Sequence, residues 1–254
     1  MIRTAWVLVV AIVATLICAD VVIVAGLLRV EDRPGGVYDT MQRLWARMIV
    51  WAAGIRVVAH GAEHASAGKQ IIVGNHVSWF DVLAVAAAIP RARFVAKREV
   101  RNIPLVGPAA GAAGHVYIER ENRKAALEQY NEAAARIHTG ARVIVFAEGT
   151  RGSAYGLRPF KKGPFVLAVS AQAPIVPMLV HGAMEVMPKG SFRVRGNRQV
   201  DIHFMPPIAT TGLTYDDRNR LAVETRAAIA GVLERTYGIA SPPWDPRAPQ
   251  APAQ

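Results

Sequence analysis

The longest apolar stretch in the chain runs from Ala5 to Leu28 and is broken only by Thr15 and Asp20. As a helix, its twenty-four residues cover roughly 36 Å, enough to cross a hydrocarbon layer of about 30 Å. The apolar run continues past Asp20 without a small-residue cleavage site, so an uncleaved membrane anchor is expected rather than a signal peptide. A charged break with Pro and Gly, Glu31 to Gly36, follows. Val37 to Gly54 then repeats apolar residues at helical spacing, with Leu44, Met48 and Trp51 on one stripe widened by Trp45 and Ile49. Arg43 and Arg47 are interleaved. The stripe fits a helix packed on the domain and equally a helix lying in a membrane interface.

From Ile55 the pattern changes to short apolar runs separated by helical ones. The runs predict strands at Ile55–Ala59, Gln70–Gly74, Arg93–Ala96, His115–Ile118, Arg142–Phe146, Ile175–Val180, Phe192–Arg195 and Gln199–Phe204. Helices are predicted at Trp79–Ala88, Asn122–Thr139, Pro164–Gln172 and Asp216–Tyr237. Strands alternating with helices imply an α/β fold with a mixed, largely parallel sheet flanked by helices, attached to an N-terminal membrane-associated helical element. Residues 241–254 contain five prolines and few large apolar groups, and are expected to be disordered. The expected organisation is therefore 1–54 as anchor and second helix, 55–240 as one α/β domain, and 241–254 as tail.

Composition narrows this picture. The chain has 254 residues, 52% of them hydrophobic, and carries 30 Lys and Arg against 19 Asp and Glu, a formal charge of +11. The surplus favours anionic partners such as acidic lipid, phosphorylated substrate or nucleic acid. Nucleic-acid readers interleave aromatic with basic residues or show a recognisable motif. Neither is evident, so nucleic acid is not expected as a partner. The single cysteine, Cys18, rules out an intrachain disulfide and paired-thiol chemistry. Histidines 60, 64, 115, 138, 181 and 203 show no metal-ligand spacing with a carboxylate set, so they read as structural or surface residues and no metal is expected. Asp201-x-His203 is the nearest approach to one.

Candidate chemistry begins where the apolar run Ile71-Ile72-Val73 gives way to Gly74-Asn75-His76-Val77-Ser78-Trp79-Phe80-Asp81. Ser78 is a good N-cap for the following helix, and Asp81 sits at the position of a capping box. On one continuous helix, residues five apart point about 140° away from each other. A turn between them lets the Asp81 carboxylate reach the His76 imidazole, set its tautomer and stabilise the imidazolium formed when it takes a proton. Alone, the pair is equally well explained as a helix cap beside a loop histidine. A second segment, Phe146-Ala147-Glu148-Gly149-Thr150-Arg151, follows the strand-like Val143-Ile144-Val145 and joins N–H groups, a hydroxyl and a guanidinium where α/β sheets bind ligands. Arg120 ends the run Gly114 to Glu119, and Phe160-Lys161-Lys162-Gly163-Pro164 leads into a helix start, a favourable anion position.

Taken together, Asn75-His76-x-Ser78-x-x-Asp81, Gly114-x-x-x-Ile118-x-Arg120, Phe146-x-Glu148-Gly149-Thr150-Arg151 and Val176-Pro177 resemble, in order and spacing, the four sequence blocks of the glycerolipid acyltransferases that include 1-acyl-sn-glycerol-3-phosphate acyltransferase. The likeness covers about residues 55 to 210. It implies that His76 is the general base, that Asp81 orients it, and that Arg120, Glu148, Gly149, Thr150, Arg151 and Lys161 bind the acceptor. It further implies direct acyl transfer from acyl-CoA or acyl carrier protein, as co-substrate, to a lysophosphatidate hydroxyl. No cofactor is implied. The partners would be membrane phospholipid and lysolipid, with the domain on the cytoplasmic side of the cell membrane. Three positions depart from the pattern: Ala147 replaces a usual proline, Gly152 a frequent serine and Glu119 a frequent aspartate. Ala147 is expected to loosen the acceptor turn, which keeps open another lysolipid, such as a lyso-ornithine lipid. A membrane-tethered, non-enzymatic binder is the alternative of a different class.

Overall fold

β2 (Gln70–Gly74) is buried at all five positions, as expected for a strand covered on both faces. It forms the centre of a seven-stranded sheet with the order β1-β7-β6-β2-β5-β3-β4. The remaining strands are β1 (Ile55–His60), β3 (Ala92–Lys97), β4 (Val116–Ile118), β5 (Arg142–Phe146), β6 (Ile175–His181) and β7 (Arg198–Phe204). Every pairing is parallel except that of β6 with β7. The structure is a computed structural model and describes residues 1–65, 68–119, 123–137 and 140–247.

The helices are α1 (Ile2–Leu27), α2 (Val37–Ala52), α3 (Trp79–Ala88), α4 (Val106–Ala112), α5 (Arg123–Arg136), α6 (Gly163–Ala171), the single turn α7 (Ala183–Val186) and α8 (Arg218–Tyr237). Packing groups α1, α2 and α3 together, with α4 against α1, and separately groups α5, α6 and α8. β2 and β5 run side by side in register, with Gly74 opposite Phe146. The turns that leave their C-terminal ends therefore emerge next to each other, at the edge where open α/β sheets bind ligands.

Asn75 extends this arrangement by one residue. Its side-chain amide donates to Val180 O at 3.0 Å and accepts from Val180 N at 2.8 Å, so a side chain takes the place of a peptide group beside β6. The residue is fully buried.

α1 docks along the domain. Val7, Val10, Ala14, Cys18, Val22 and Ala25 form its buried stripe. Trp45 Nε1 donates to Thr15 Oγ1 at 2.9 Å, and Arg3 to Ala53 O at 3.1 Å. The other side of α1 leaves Leu8, Ile12, Leu16, Ile17 and Val24 exposed, and the helix is long and apolar enough to cross a membrane, with a mean hydropathy of 3.0. In α2 the buried face is Tyr38, Ala46, Ile49 and Val50. The Leu44 to Trp51 stripe therefore does not pack inward as a unit: Leu44 and Trp51 are exposed, and Trp51 meets Trp6 of α1 edge to face at 6.3 Å.

Three sequence expectations need correction. Phe192–Arg195 is not a strand, because its backbone donors go elsewhere: Val194 N to Thr4 Oγ1 and Arg195 N to Val186 O. Residues 241–247 are packed, not disordered. Arg226 Nη2 donates to Pro242 O at 2.7 Å, and its guanidinium lies over Trp244, which meets Phe160 at 6.2 Å. α4 is a helix that the apolar pattern did not predict, in a segment containing Gly107, Pro108 and Gly111. A Cβ on Gly107 would stand 2.0 Å from Arg101 O, so close approach of the preceding turn requires glycine inside this helix. Residues 122, 138 and 139 of the expected helix Asn122–Thr139 lie outside the described residues, as do 248–254 of the tail.

Asn75→Ala removes both partners of a buried peptide group. We expect it to lower stability by ~2–5 kcal/mol, the cost of leaving two buried polar groups unpaired. Urea unfolding of the variant against the parent measures this; a difference below ~1 kcal/mol would mean that water replaces the amide.

Candidate active site

The backbone leaves β2 at Gly74, turns through Asn75, His76 and Val77, and enters α3 at the N-cap Ser78. Ser78 Oγ accepts from Phe80 N and donates to Met187 O at 2.7 Å. Both its hydrogen-bonding roles are used and it is fully buried, so it is a cap and not a nucleophile.

Asp81, in the first turn of α3, is completely buried. Its Oδ2 collects three donors: His76 Nδ1 at 2.7 Å, Val77 N at 2.7 Å and Ser78 N at 2.8 Å. An oxygen accepting two backbone N–H groups is an acceptor toward the imidazole as well, so Nδ1 carries the ring hydrogen and Nε2 holds the free lone pair. Asp81 Oδ1 is buried with no hydrogen-bond partner. A carboxylate with one unpaired oxygen in a dry site gains when the neighbouring imidazole becomes cationic. Phe146, the last residue of β5, stacks on the His76 ring at 4.4 Å and 15°.

The turn after β5 grips the same histidine from the other side. The Glu148 carboxylate accepts the backbone N–H of His76, and Gly152 N donates to His76 O at 2.7 Å. Burial pushes the Glu148 carboxyl up to about 8, against the opposing pull of the His76 N–H and Arg158. Burial thus favours the protonated form of Glu148, whose carboxyl holds the backbone N–H of His76. Gly149 adopts φ 76°, in the left-handed region, which turns the chain toward Thr150 and Arg151. Ala147 does not loosen this turn. Its N–H donates to Gly74 O at 3.0 Å, a bond proline cannot make, and its carbonyl accepts from Lys161 N at 2.7 Å.

His76, Glu148, Gly149, Thr150, Arg151 and Lys161 line one cavity of about 1790 Å³. Arg151 sits over the exposed Trp79 ring at 4.9 Å. Arg120 lies outside the described residues. Of the other expected site residues, then, five share the cavity with His76, and Asp81 supports it from behind. The stacking by Phe146 and the buried acidity of Glu148 had no sequence signal, since both depend on β5 lying beside β2.

The Asp201-x-His203 pair belongs elsewhere. His60 Nε2 meets Asp201 Oδ1 at 2.8 Å, the His60 and His203 rings stack at 4.4 Å, and His203 Nε2 meets Tyr237 OH at 2.8 Å. This cluster ties β1, β7 and α8. Among the described residues, no group of three His, Cys, Asp or Glu is placed to hold a metal.

Comparison with known proteins adds to this geometry. The model of the Acyltransferase family matches residues 56–181. The chain is 36% identical over 194 residues to 1-acyl-sn-glycerol-3-phosphate acyltransferase alpha of Homo sapiens, covering 75% of this chain and 68% of that one. It is 37% identical over 171 residues to the 1-acyl-sn-glycerol-3-phosphate acyltransferase of Limnanthes alba, covering 66% of this chain and 60% of that one. In three dimensions it resembles the crystal structure of the 1-acyl-sn-glycerophosphate (LPA) acyltransferase PlsC from Thermotoga maritima. The TM-score is 0.78 at 23% identity, over 95% of this chain and 97% of that one, a likeness of fold.

The raised Glu148 value makes a signed prediction. Its protonated form stabilises the fold fully below the ordinary value of 4.5, and that contribution is lost as pH rises through about 8. Glu148→Gln keeps an acceptor for His76 N–H and stays neutral. Relative to that variant, the parent should lose stability between about pH 5 and pH 9. Parallel urea titrations across this range test it, and a constant difference would mean that Glu148 is already ionised at the low end.

Proposed function

This chain belongs to the 1-acyl-sn-glycerol-3-phosphate acyltransferase family of O-acyltransferases, and we propose that it transfers an acyl group from acyl-CoA or acyl carrier protein to the sn-2 hydroxyl of lysophosphatidate, giving phosphatidate for phospholipid synthesis. The observation that carries this reading is the state of His76. Its Nδ1 is committed to Asp81, its Nε2 has no hydrogen-bond partner among the described residues, and the residue lines a cavity that also holds Arg151 and Lys161. A base beside two cationic side chains suits an acceptor bearing a hydroxyl and a phosphate.

In the proposed reaction, His76 Nε2 takes the proton from the acceptor hydroxyl as its oxygen attacks the thioester carbonyl carbon. The C–S bond then breaks, the thiolate leaves and receives the proton from the imidazolium, and the new ester remains on the acceptor. Asp81 stabilises the imidazolium in between. Ser78 is sealed, and burial raises the Cys18 thiol and so disfavours its thiolate, which supports direct transfer without an acyl-enzyme. General-base catalysis accounts for roughly 10²–10⁴ of the rate, and positioning by Thr150, Arg151 and Lys161 for part of the rest. Arg120 joins this set by its place in the sequence pattern. The reading requires no cofactor beyond the thioester substrate.

Residues 1–54 attach the domain to a membrane in this proposal. The exposed apolar face of α1 meets lipid, and the Trp6–Trp51 pair lies at the headgroup level, where tryptophan is favoured. The +11 charge strengthens binding to an anionic bilayer. Residues 55–240 face the cytoplasm, where both thioester donors are made.

The test is turnover of radiolabelled acyl-CoA by purified protein on vesicles, with lysophosphatidate, lysophosphatidylcholine and lyso-ornithine lipid as acceptors. Lysophosphatidate should give the highest kcat/KM. His76→Ala should lower it by at least ~10²-fold while the unfolding midpoint stays close to the parent's. Reaction with another lysolipid but not with lysophosphatidate would overturn the acceptor assignment. Full activity of His76→Ala would overturn the base.

A further inference from the structure

Four rings follow one another along the cavity that opens at His76. His76 stacks on Phe146 at 4.4 Å, Phe146 lies beside Phe94 at 6.4 Å, and Phe94 meets His115 at 5.6 Å. All four line the cavity, together with apolar residues of α1, α2 and α3 such as Ala11, Ile49 and Leu83. Such a lining suits an alkyl chain, and His115 is a polar, half-buried residue on its wall.

The hydrogen bonds around His115 define which atom it offers. Gln42 Nε2 donates to Ala92 O at 2.8 Å, so Gln42 turns its Oε1 to His115 Nε2 at 2.9 Å. His115 Nε2 therefore carries the ring hydrogen, and the lone pair sits on Nδ1. Among the described residues no hydrogen bond to Nδ1 is formed, and Nδ1 is not among the sealed, unpartnered atoms of the interior. It is therefore accessible, on a residue that lines the cavity. Burial, with Arg93 adding to it, lowers the His115 value to about 3, so the ring stays neutral and the lone pair stays available at any physiological pH.

We propose that His115 Nδ1 is a recognition point for a hydroxyl group carried on the donor's acyl chain. The inference rests on the acyl-transfer reading of His76 and deepens it. An unsubstituted chain long enough to reach His115 displaces the water that would satisfy Nδ1 and returns no donor, leaving a buried acceptor unpaired. A chain with a hydroxyl at that depth restores the bond. The three ring-to-ring steps limit the depth to roughly a dozen extended bonds from the thioester, at about 1.2 Å per bond. Gln42 acts through His115, by fixing its tautomer.

The experiment compares kcat/KM for a long saturated acyl-CoA with that for a set of its monohydroxy isomers, with lysophosphatidate as acceptor. The parent protein should prefer at least one isomer over the saturated chain by about tenfold, the factor one buried hydrogen bond carries. His115→Phe should bring that ratio to about one. The double variant His115→Leu with Gln42→Leu removes both partners together and should do the same if the single variant is poorly folded. No preference for any isomer, or a preference that survives in a folded variant, overturns the proposal while leaving acyl transfer intact. A protein inactive with every donor overturns both.

Discussion

Asp81 Oδ2 is the atom on which the site depends. It receives the imidazole N–H of His76 and the backbone N–H groups of Val77 and Ser78 within 2.8 Å. The same carboxylate caps α3, closes the turn and fixes the histidine tautomer. The helix cap and the support of the imidazole thus meet on one oxygen. The resulting charge is buried, and its cost is offset by three donors on one oxygen while the other oxygen stays unpaired.

Parallel pairing of β2 with β5 supplies the second constraint. It sets Gly74 opposite Phe146, so the two following turns interlock. Phe146 stacks on the His76 ring, Glu148 and Gly152 hold its backbone N–H and carbonyl, and Ala147 is bonded to Gly74. His76 is therefore held by its ring, by its Nδ1 and by its backbone. In the proposed reaction, such preorganisation lets the remaining nitrogen act without a rearrangement. Glu148 changes character in this view. The family pattern implies an acceptor-binding role for it, and in the structure its carboxyl also holds the His76 backbone at the edge of the same cavity.

Legibility in the sequence followed local physics. β2, β5 and α3 were found with the observed bounds, because a fully apolar run ending in Gly, or a Ser N-cap ahead of an alternation-free helix, is a local signal. The contact of His76 with Asp81 was legible for the same reason, as both belong to one turn. Phe192–Arg195 misled because alternation says that a segment can be a strand, and only available partners make it one. The Pro-rich stretch at residues 241–247 misled because composition does not register one tryptophan finding Phe160 and Arg226. α4 was hidden because its glycine serves a neighbour that sequence does not name.

By itself, then, the sequence determined most of the element types, the His76–Asp81 turn, the family pattern and the apolar N-terminal helix, all of which arise within short stretches of chain. Tertiary structure alone decided that Phe146 and Glu148 meet His76, that Leu44 and Trp51 face outward, and that His115, bonded to Gln42, lines a largely apolar cavity. The physical reason is range. Capping and turn geometry act between neighbours in the chain, whereas stacking, burial and the state of a buried titratable group depend on which distant segments the sheet order brings together.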